Sequence, residues 1–286
     1  MSAHQRAYER RTGFDAFRRA ATRLRNGFGV LVWAARAGLA DHSVMFTLRT
    51  WLLGWFMRMI AQVLFFLTIG NLLGPGQARF LLVGNAVLMV TLHGLNATGS
   101  TTWELENGTL GLLVASPSSP STVLAGRSLF WLPDGLACGL GAILILAPVA
   151  HLTLTAATVP AVAGVMVVTA LSSYCLGLFL GSLVLTAHDL RNVVSNGTLT
   201  LMMALCGPEF APSSLGPVLG RVGAFLPLTH GLRAVRGVFA GMGAGQVAAL
   251  TGQEALAGGC WLAVALAVLE LRARHSRHEG AALFLN

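Results

Sequence analysis

The chain has 286 residues, 55% of them hydrophobic and only 10% charged, with a formal net charge of +8 and a mean hydropathy of +0.69. Soluble domains carry roughly 25% charged residues, so this composition excludes an ordinary soluble enzyme and points to a chain that lies mostly within a membrane. All 19 basic residues are arginine, and without a lysine the polypeptide cannot build a Walker A phosphate site, a Schiff base or a Ser-Lys dyad.

Residues 1–50 hold nine arginines against Glu9, Asp15 and Asp41. Phe14, Phe17, Ala21, Leu24, Phe28 and Leu31 recur at helical spacing with Arg18, Arg19, Arg23 and Arg25 between them. That pattern predicts an amphipathic helix lying in the cytoplasmic interface, with a mobile basic tail as the alternative. The charge stands directly before an apolar segment, so anionic lipid rather than nucleic acid explains it. No early apolar region follows the N-terminus, and a cleaved signal peptide is not expected.

Six spans follow, at about Trp51–Leu73, Phe80–Thr98, Ser128–Ala150, Val159–Ala187, Val193–Gly207 and Gln253–Leu271. Most come near the ~20 residues that cross a bilayer core. Even parity places both termini on one side, and 14 arginines on that side against four on the other make it the cytoplasm. The chain thus divides into a basic region, 1–50, a six-span domain, 51–271, and a cytoplasmic tail, 272–286. The predicted class is an all-α membrane protein.

The fifth span is short and runs into Gly207 and Pro208. It can serve as a crossing only if the chain after it dips back into the membrane, where irregular backbone must be shielded by protein or water. Phe210 to Val238 is therefore read as two short re-entrant helices broken near Pro227, with Arg233 and Arg236 snorkelling to the outer headgroups. The spacings Gly135/Gly139 and Ser173/Gly177/Gly181 suit close helix contact.

Two charged residues lie well inside predicted spans, away from their ends. Arg58 in the first and Asp134 in the third each sit about 10 Å deep at 1.5 Å per residue, which makes them candidates for an intramembrane ion pair. The alternative is that Arg58 snorkels while Asp134 lines an aqueous vestibule. His93, His151 and His230 fall at different depths and are assigned no chemistry. Cys138, Cys175, Cys206 and Cys260 lack ligand spacing and read as packing residues, and His275 with His278 is too little for a metal site. No catalytic cluster and no metal site are expected.

Between the second and third spans lies the polar stretch Thr101 to Phe130, TTWELENGTLGLLVASPSSPSTVLAGRSLF. On residue types it is a short surface helix bounded by turns, or a solvated loop. Its wording resembles the cytoplasmic coupling segment of ABC-2 type transporter permeases. The acidic pair is Glu104 and Glu106, the Gly-Thr-Leu motif Gly108 to Leu110, the Ser-Pro pair Ser116 and Pro117, and the Gly-Arg opening Gly126 and Arg127. A second stretch, Cys206 to Gly241, resembles the external hairpin of the same family, with Pro208 at its entry, Pro227 in its middle and Arg233 and Arg236 at its exit. The resemblance covers nearly all of the chain after about residue 30.

That resemblance implies a permease subunit without its own ATPase site. Two permeases, identical or related, would join two nucleotide-binding subunits that carry ATP and Mg, and no cofactor would bind this chain. Glu104, Glu106, Gly108 and Thr109, within a coupling segment 101–124, would face the ATPase, and the external hairpin would span 208–241. The small external region looks more like the branch that exports drugs and natural products, whose members confer antibiotic resistance. A polysaccharide, teichoic-acid or lipid exporter is the alternative, and a six-span intramembrane enzyme or a passive channel stands further off. The expected surroundings are membrane lipid and a hydrophobic substrate in a bacterial plasma membrane.

Overall fold

A computed structural model describes residues 27–44, 46–100, 120–184, 190–209 and 216–278, and every regular element among them is helical. Helix α1 covers 27–44. Helix α2 (Leu48–Leu73) starts on Thr47, whose hydroxyl accepts from the Thr50 N–H, and passes through a π turn at Trp51–Phe56. It stops at Gly74, whose φ of 120° disfavours any side chain. Pro75 then opens helix α3 (Pro75–Ser100) at the position where a missing N–H costs nothing. The result is a tight antiparallel pair.

Helix α4 (Pro120–Ser128) begins on the last proline of the Ser-Pro-Ser-Ser-Pro run and leads through a two-residue turn into α5 (Trp131–Leu146). Helix α6 spans Thr158–Val184 and α7 Arg191–Cys206, the latter closed by Gly207 in the left-handed conformation usual after a helix end. A hairpin of α8 (Gly216–Phe225) and α9 (Thr229–Phe239) follows, and α10 (Ala244–His278) completes the described chain.

Five stretches are long and apolar enough to cross a membrane: α2, α3, Ser121–Leu146 through α4 and α5, α6, and Ala244–Leu271 of α10. Helix α7, expected as a sixth, has 16 residues, about 24 Å at 1.5 Å per residue against a core of ~30 Å. Among the boundaries that differ from expectation, two have a local cause. The second span begins at Pro75 rather than Phe80, because Gly74 makes the whole turn. The last begins at Ala244 rather than Gln253, because Gln253 and Glu254, which read as a polar edge, lie within a continuous helix.

Helix α3 is the hub. Its most apolar window is 83% buried, against 22% for α2 and for α10, so α3 packs on α2, α5 and α6 while α2 and α10 turn most of their surface outward. Close approach depends on small residues: a Cβ added at Gly177 of α6 would stand 2.5 Å from the Gly94 carbonyl oxygen of α3, and one at Gly135 of α5 would stand 2.7 Å from the His93 Cβ. Polar bonds bind the same seam, Thr98 donating to the Gly177 carbonyl at 3.0 Å and Ser173 to the Thr91 hydroxyl at 3.1 Å. Gly177→Leu should therefore prise α6 from α3 and cost about 1–3 kcal/mol through overpacking, whereas Gly164→Leu, where an added Cβ meets nothing, should be neutral. Thermal unfolding of the two variants in nanodiscs tests this, and equal melting behaviour would refute the seam.

Candidate functional site

The expected coupling residues Glu104, Glu106, Gly108 and Thr109 lie in 101–119, outside the described residues. Its flanks are visible. The Trp131 indole N–H donates to the Ser100 hydroxyl at 2.8 Å, which brings the end of α3 to the start of α5. Gly126 and Arg127 of the Gly-Arg opening both face α1: a Cβ on Gly126 would meet Ala34 at 2.5 Å, and the Arg127 guanidinium pairs with Asp41 at 2.5 Å. Both partners of that pair are solvent-accessible, so it orients more than it stabilises.

Next to these flanks the structure assembles a polar and aromatic cluster from α2, α3 and α5. Trp51, Trp55, Met59, Val63 and Leu67 recur every four residues and form the inner stripe of α2. The stripe brings two indole N–H groups to the level of Asp134. Trp51 donates to Asp134 Oδ1 at 2.5 Å, and Trp55 donates to His93 Nε2 at 3.0 Å. His93 Nδ1 lies 2.7 Å from the Met89 carbonyl, and Nε2 lies 3.3 Å from Asp134 Oδ2. Both the carboxylate and the imidazole are buried. Rings of His42, Phe46, Trp55, Phe130 and Trp131 stack around them at centroid distances of 4.7–6.3 Å. Burial holds His42 below the ordinary imidazole range, and the Asp134 charge offsets part of that effect.

The expected pairing of Arg58 with Asp134 is not formed. Arg58 is exposed and its guanidinium lies 4.8 Å from the centre of the Trp55 ring, while Asp134 takes Trp51 and His93 as neighbours. Matched depth was not enough, because each residue also turns about 100° around the helix axis and Arg58 falls off the inward stripe. His93, assigned no chemistry from sequence, is the residue that faces the carboxylate. Cys138 adds a sulfur to His93 and Asp134 within 4.8 Å, but the Trp55 N–H already occupies the Nε2 lone pair, so the three are not set out as a ligand group. All four cysteines are free thiols.

At the hairpin, α9 is tied down from two sides. Glu254 of α10 is fully buried, and its carboxylate accepts from the Leu228 N–H at 2.7 Å and the Gly231 N–H at 2.9 Å. It thereby caps the N-terminus of α9, where the unpaired N–H groups and the helix dipole favour an anion. Leu228 has φ 89°, a backbone state that a leucine rarely adopts, and it lies directly after Pro227. Arg236 does not reach for headgroups as expected. It donates to the carbonyls of Gly207 at 2.8 Å, Pro208 at 3.0 Å and Phe80 at 3.1 Å, with its guanidinium 3.5 Å above the Phe80 ring. The carbonyls freed at the end of α7 are unsatisfied acceptors and capture it. Arg233 is exposed, while Pro208 and Pro227 are buried.

Between the hairpin and α10 lies an apolar cavity of about 350 Å³ whose lining includes Phe225, His230, Leu256, Cys260 and Trp261. Glu254 passed unnoticed in the sequence because hydropathy treats a carboxylate as an edge. The readable signal was a single charged residue between 244 and 266, which by default marks a functional or structural anchor.

No curated protein matches the chain. The family model described as ABC-2 type transporter matches residues 38–240, well over half of the sequence, from within α1 through the end of α9. With its membrane-length helices, its polar cluster at one end and its tethered hairpin, the chain belongs to the ABC-2 type transporter family and is a multi-pass membrane subunit of such a transporter.

Proposed function

We propose that this chain is the permease of an ATP-driven exporter that moves an amphiphilic drug or natural product out across a bacterial cytoplasmic membrane. The family match over 38–240 carries the reading. Two permeases join two nucleotide-binding subunits, which hold ATP and Mg, because a chain without lysine offers no P-loop. Both termini are cytoplasmic, α7 with the α8–α9 hairpin forms the remaining crossing, and the short hairpin without an inserted domain favours small amphiphiles over polymers. The apolar cavity beside the hairpin suits such a ligand.

ATP acts by favouring one arrangement of the helices over another, which requires a differential of several kcal/mol to shift populations fully. The force enters through 101–119, whose ends are anchored at Ser100 and at α4. Replacing Glu104 and Glu106 together by Gln should leave insertion and folding unchanged. Association with the ATPase, or substrate-stimulated ATP hydrolysis, should fall severalfold and become less dependent on salt. Coupled transport at matched complex levels is the measurement, and normal transport by the double variant would remove the coupling role from these acids.

A further inference from the structure

We propose that Tyr174 of α6 is a positioning residue that carries movement of the 101–119 segment into the helix bundle, by holding a backbone carbonyl freed where α4 breaks from α5. The inference rests on the coupling role proposed above for that segment. The break has a cause in the sequence. Pro133 stands in the first turn of α5, where it has no N–H for the Leu129 carbonyl four residues back and its ring crowds that carbonyl. The Leu129 carbonyl accepts instead from the Leu132 N–H at 3.1 Å. The Leu129 N–H turns to the Gly126 carbonyl at 3.1 Å, rather than to that of Ala125 as a continuing helix requires. The Ala125 carbonyl is thereby released, and the Tyr174 hydroxyl donates to it from α6.

Both ends of this attachment are shielded from solvent. Tyr174 is buried, and so is Ser128, whose hydroxyl lies 2.8 Å from the phenol oxygen. A carbonyl or hydroxyl left unfilled in such a setting is costly, which keeps the groups together. Since the one phenol hydrogen goes to Ala125, the Ser128 hydroxyl donates to the phenol oxygen or to the Leu124 carbonyl, 3.0 Å away. Ala97, Leu178 and Ala265 form an apolar cluster with the Tyr174 ring, a contact that fixes no direction.

A helix that pivots at one end passes a tilt on through whatever grips it beyond the pivot. Helix α4 is gripped by α1 at Gly126 and through the pair of Arg127 with Asp41, by α10 through packing, and by α6 through Tyr174. The pair with Asp41 is solvent-accessible and yields readily, whereas the Tyr174 bond is buried and directional. On the same stretch of α6, the Ser173 hydroxyl bonds Thr91 of α3 at 3.1 Å and the Gly177 carbonyl bonds Thr98 at 3.0 Å. Displacement of α4 therefore reaches α6 and α3 without crossing the pivot at 129–130.

Spin-label distances in the full chain in lipid nanodiscs test the attachment. Labels carried on ketone-bearing residues at Thr122 of α4 and Leu183 of α6 leave the four cysteines in place. The wild type should give one narrow distance. Tyr174→Phe, which keeps the ring and removes the donor, should broaden and shift it, while Ser128→Ala should not. Adding Pro133→Ala to Tyr174→Phe should narrow it again, because a residue with an N–H lets α4 run on into α5 and closes the pivot. The proposal is overturned if Tyr174→Phe matches the wild type, if Ser128→Ala broadens the distance as much, or if Pro133→Ala rescues nothing. In the complex with the ATPase subunit, a second label pair, Thr122 with Leu53 of α2, reports whether α4 moves when ATP and vanadate are added. Silence of that pair would sink the coupling role of 101–119 itself. Where that pair responds, the distance from Thr122 to Leu183 should stay constant in the wild type and change in Tyr174→Phe, and equal behaviour of the two chains would remove the role of Tyr174 alone.

Discussion

Glu254→Ala should unfold the α8–α9 hairpin from the bundle and destabilise the protein by about 2–6 kcal/mol. The figure follows from stranding two buried N–H donors at about 1–3 kcal/mol each, the two bonds that make up the N-cap. The donors are those of Leu228 and Gly231, each bonded to one oxygen of the Glu254 carboxylate. The effect should concentrate at the hairpin, because the same carboxylate holds Leu228 in its φ 89° conformation. Glu254→Gln should fall between wild type and Ala: its carbonyl replaces one acceptor, while its amide group turns a donor toward the remaining N–H. Thermal unfolding in nanodiscs, with protease cleavage around 209–216 as a local probe, checks the order. If Gln and Ala behave alike, or if Ala is silent, the capping account is wrong.

Arg236→Ala should have an effect of the same order at the other end of α9. Three backbone carbonyls lose a charged donor and the Phe80 ring loses its stacked cation, which together cost about 2–4 kcal/mol. Lysine is no substitute, since a point charge on a flexible stem cannot reproduce the planar fork that serves Gly207, Pro208 and Phe80 together. Arg236→Lys should therefore recover less than half of the loss. Arg233, exposed one turn earlier, should tolerate Ala. Comparing the two alanine variants by melting temperature separates a specific tether from a general need for positive charge, and equal effects would count against the tether.

The two ends of the molecule were legible to different degrees. Asp134 stood out in the sequence because a carboxylate inside an apolar span demands an explanation. Its partner did not stand out, because depth can be counted along a helix but the face is set by packing. Trp51, which opened the first predicted span, and Trp55, which was assigned no role, proved to be the donors. At the hairpin Pro227 announced the break between α8 and α9, yet nothing local announced Glu254, which reaches it from the next helix.

Composition and hydropathy by themselves determined the class of molecule: an all-helical membrane chain, its helices bounded where Gly74–Pro75, Pro120 and Gly207 force the backbone to turn. The arginine-only basic set determined that these residues hold no Walker A lysine. These are local properties of residues and of their order. Only the tertiary structure decided which polar groups meet: Asp134 with His93 rather than Arg58, Glu254 with the start of α9, Arg236 with the carbonyls that end α7. Inside an apolar bundle each such group must find a partner or lose several kcal/mol, and which partner it finds depends on the rotation and crossing of helices far apart in the chain. Side-chain packing around α3 fixes those rotations, and no stretch of sequence taken alone contains them.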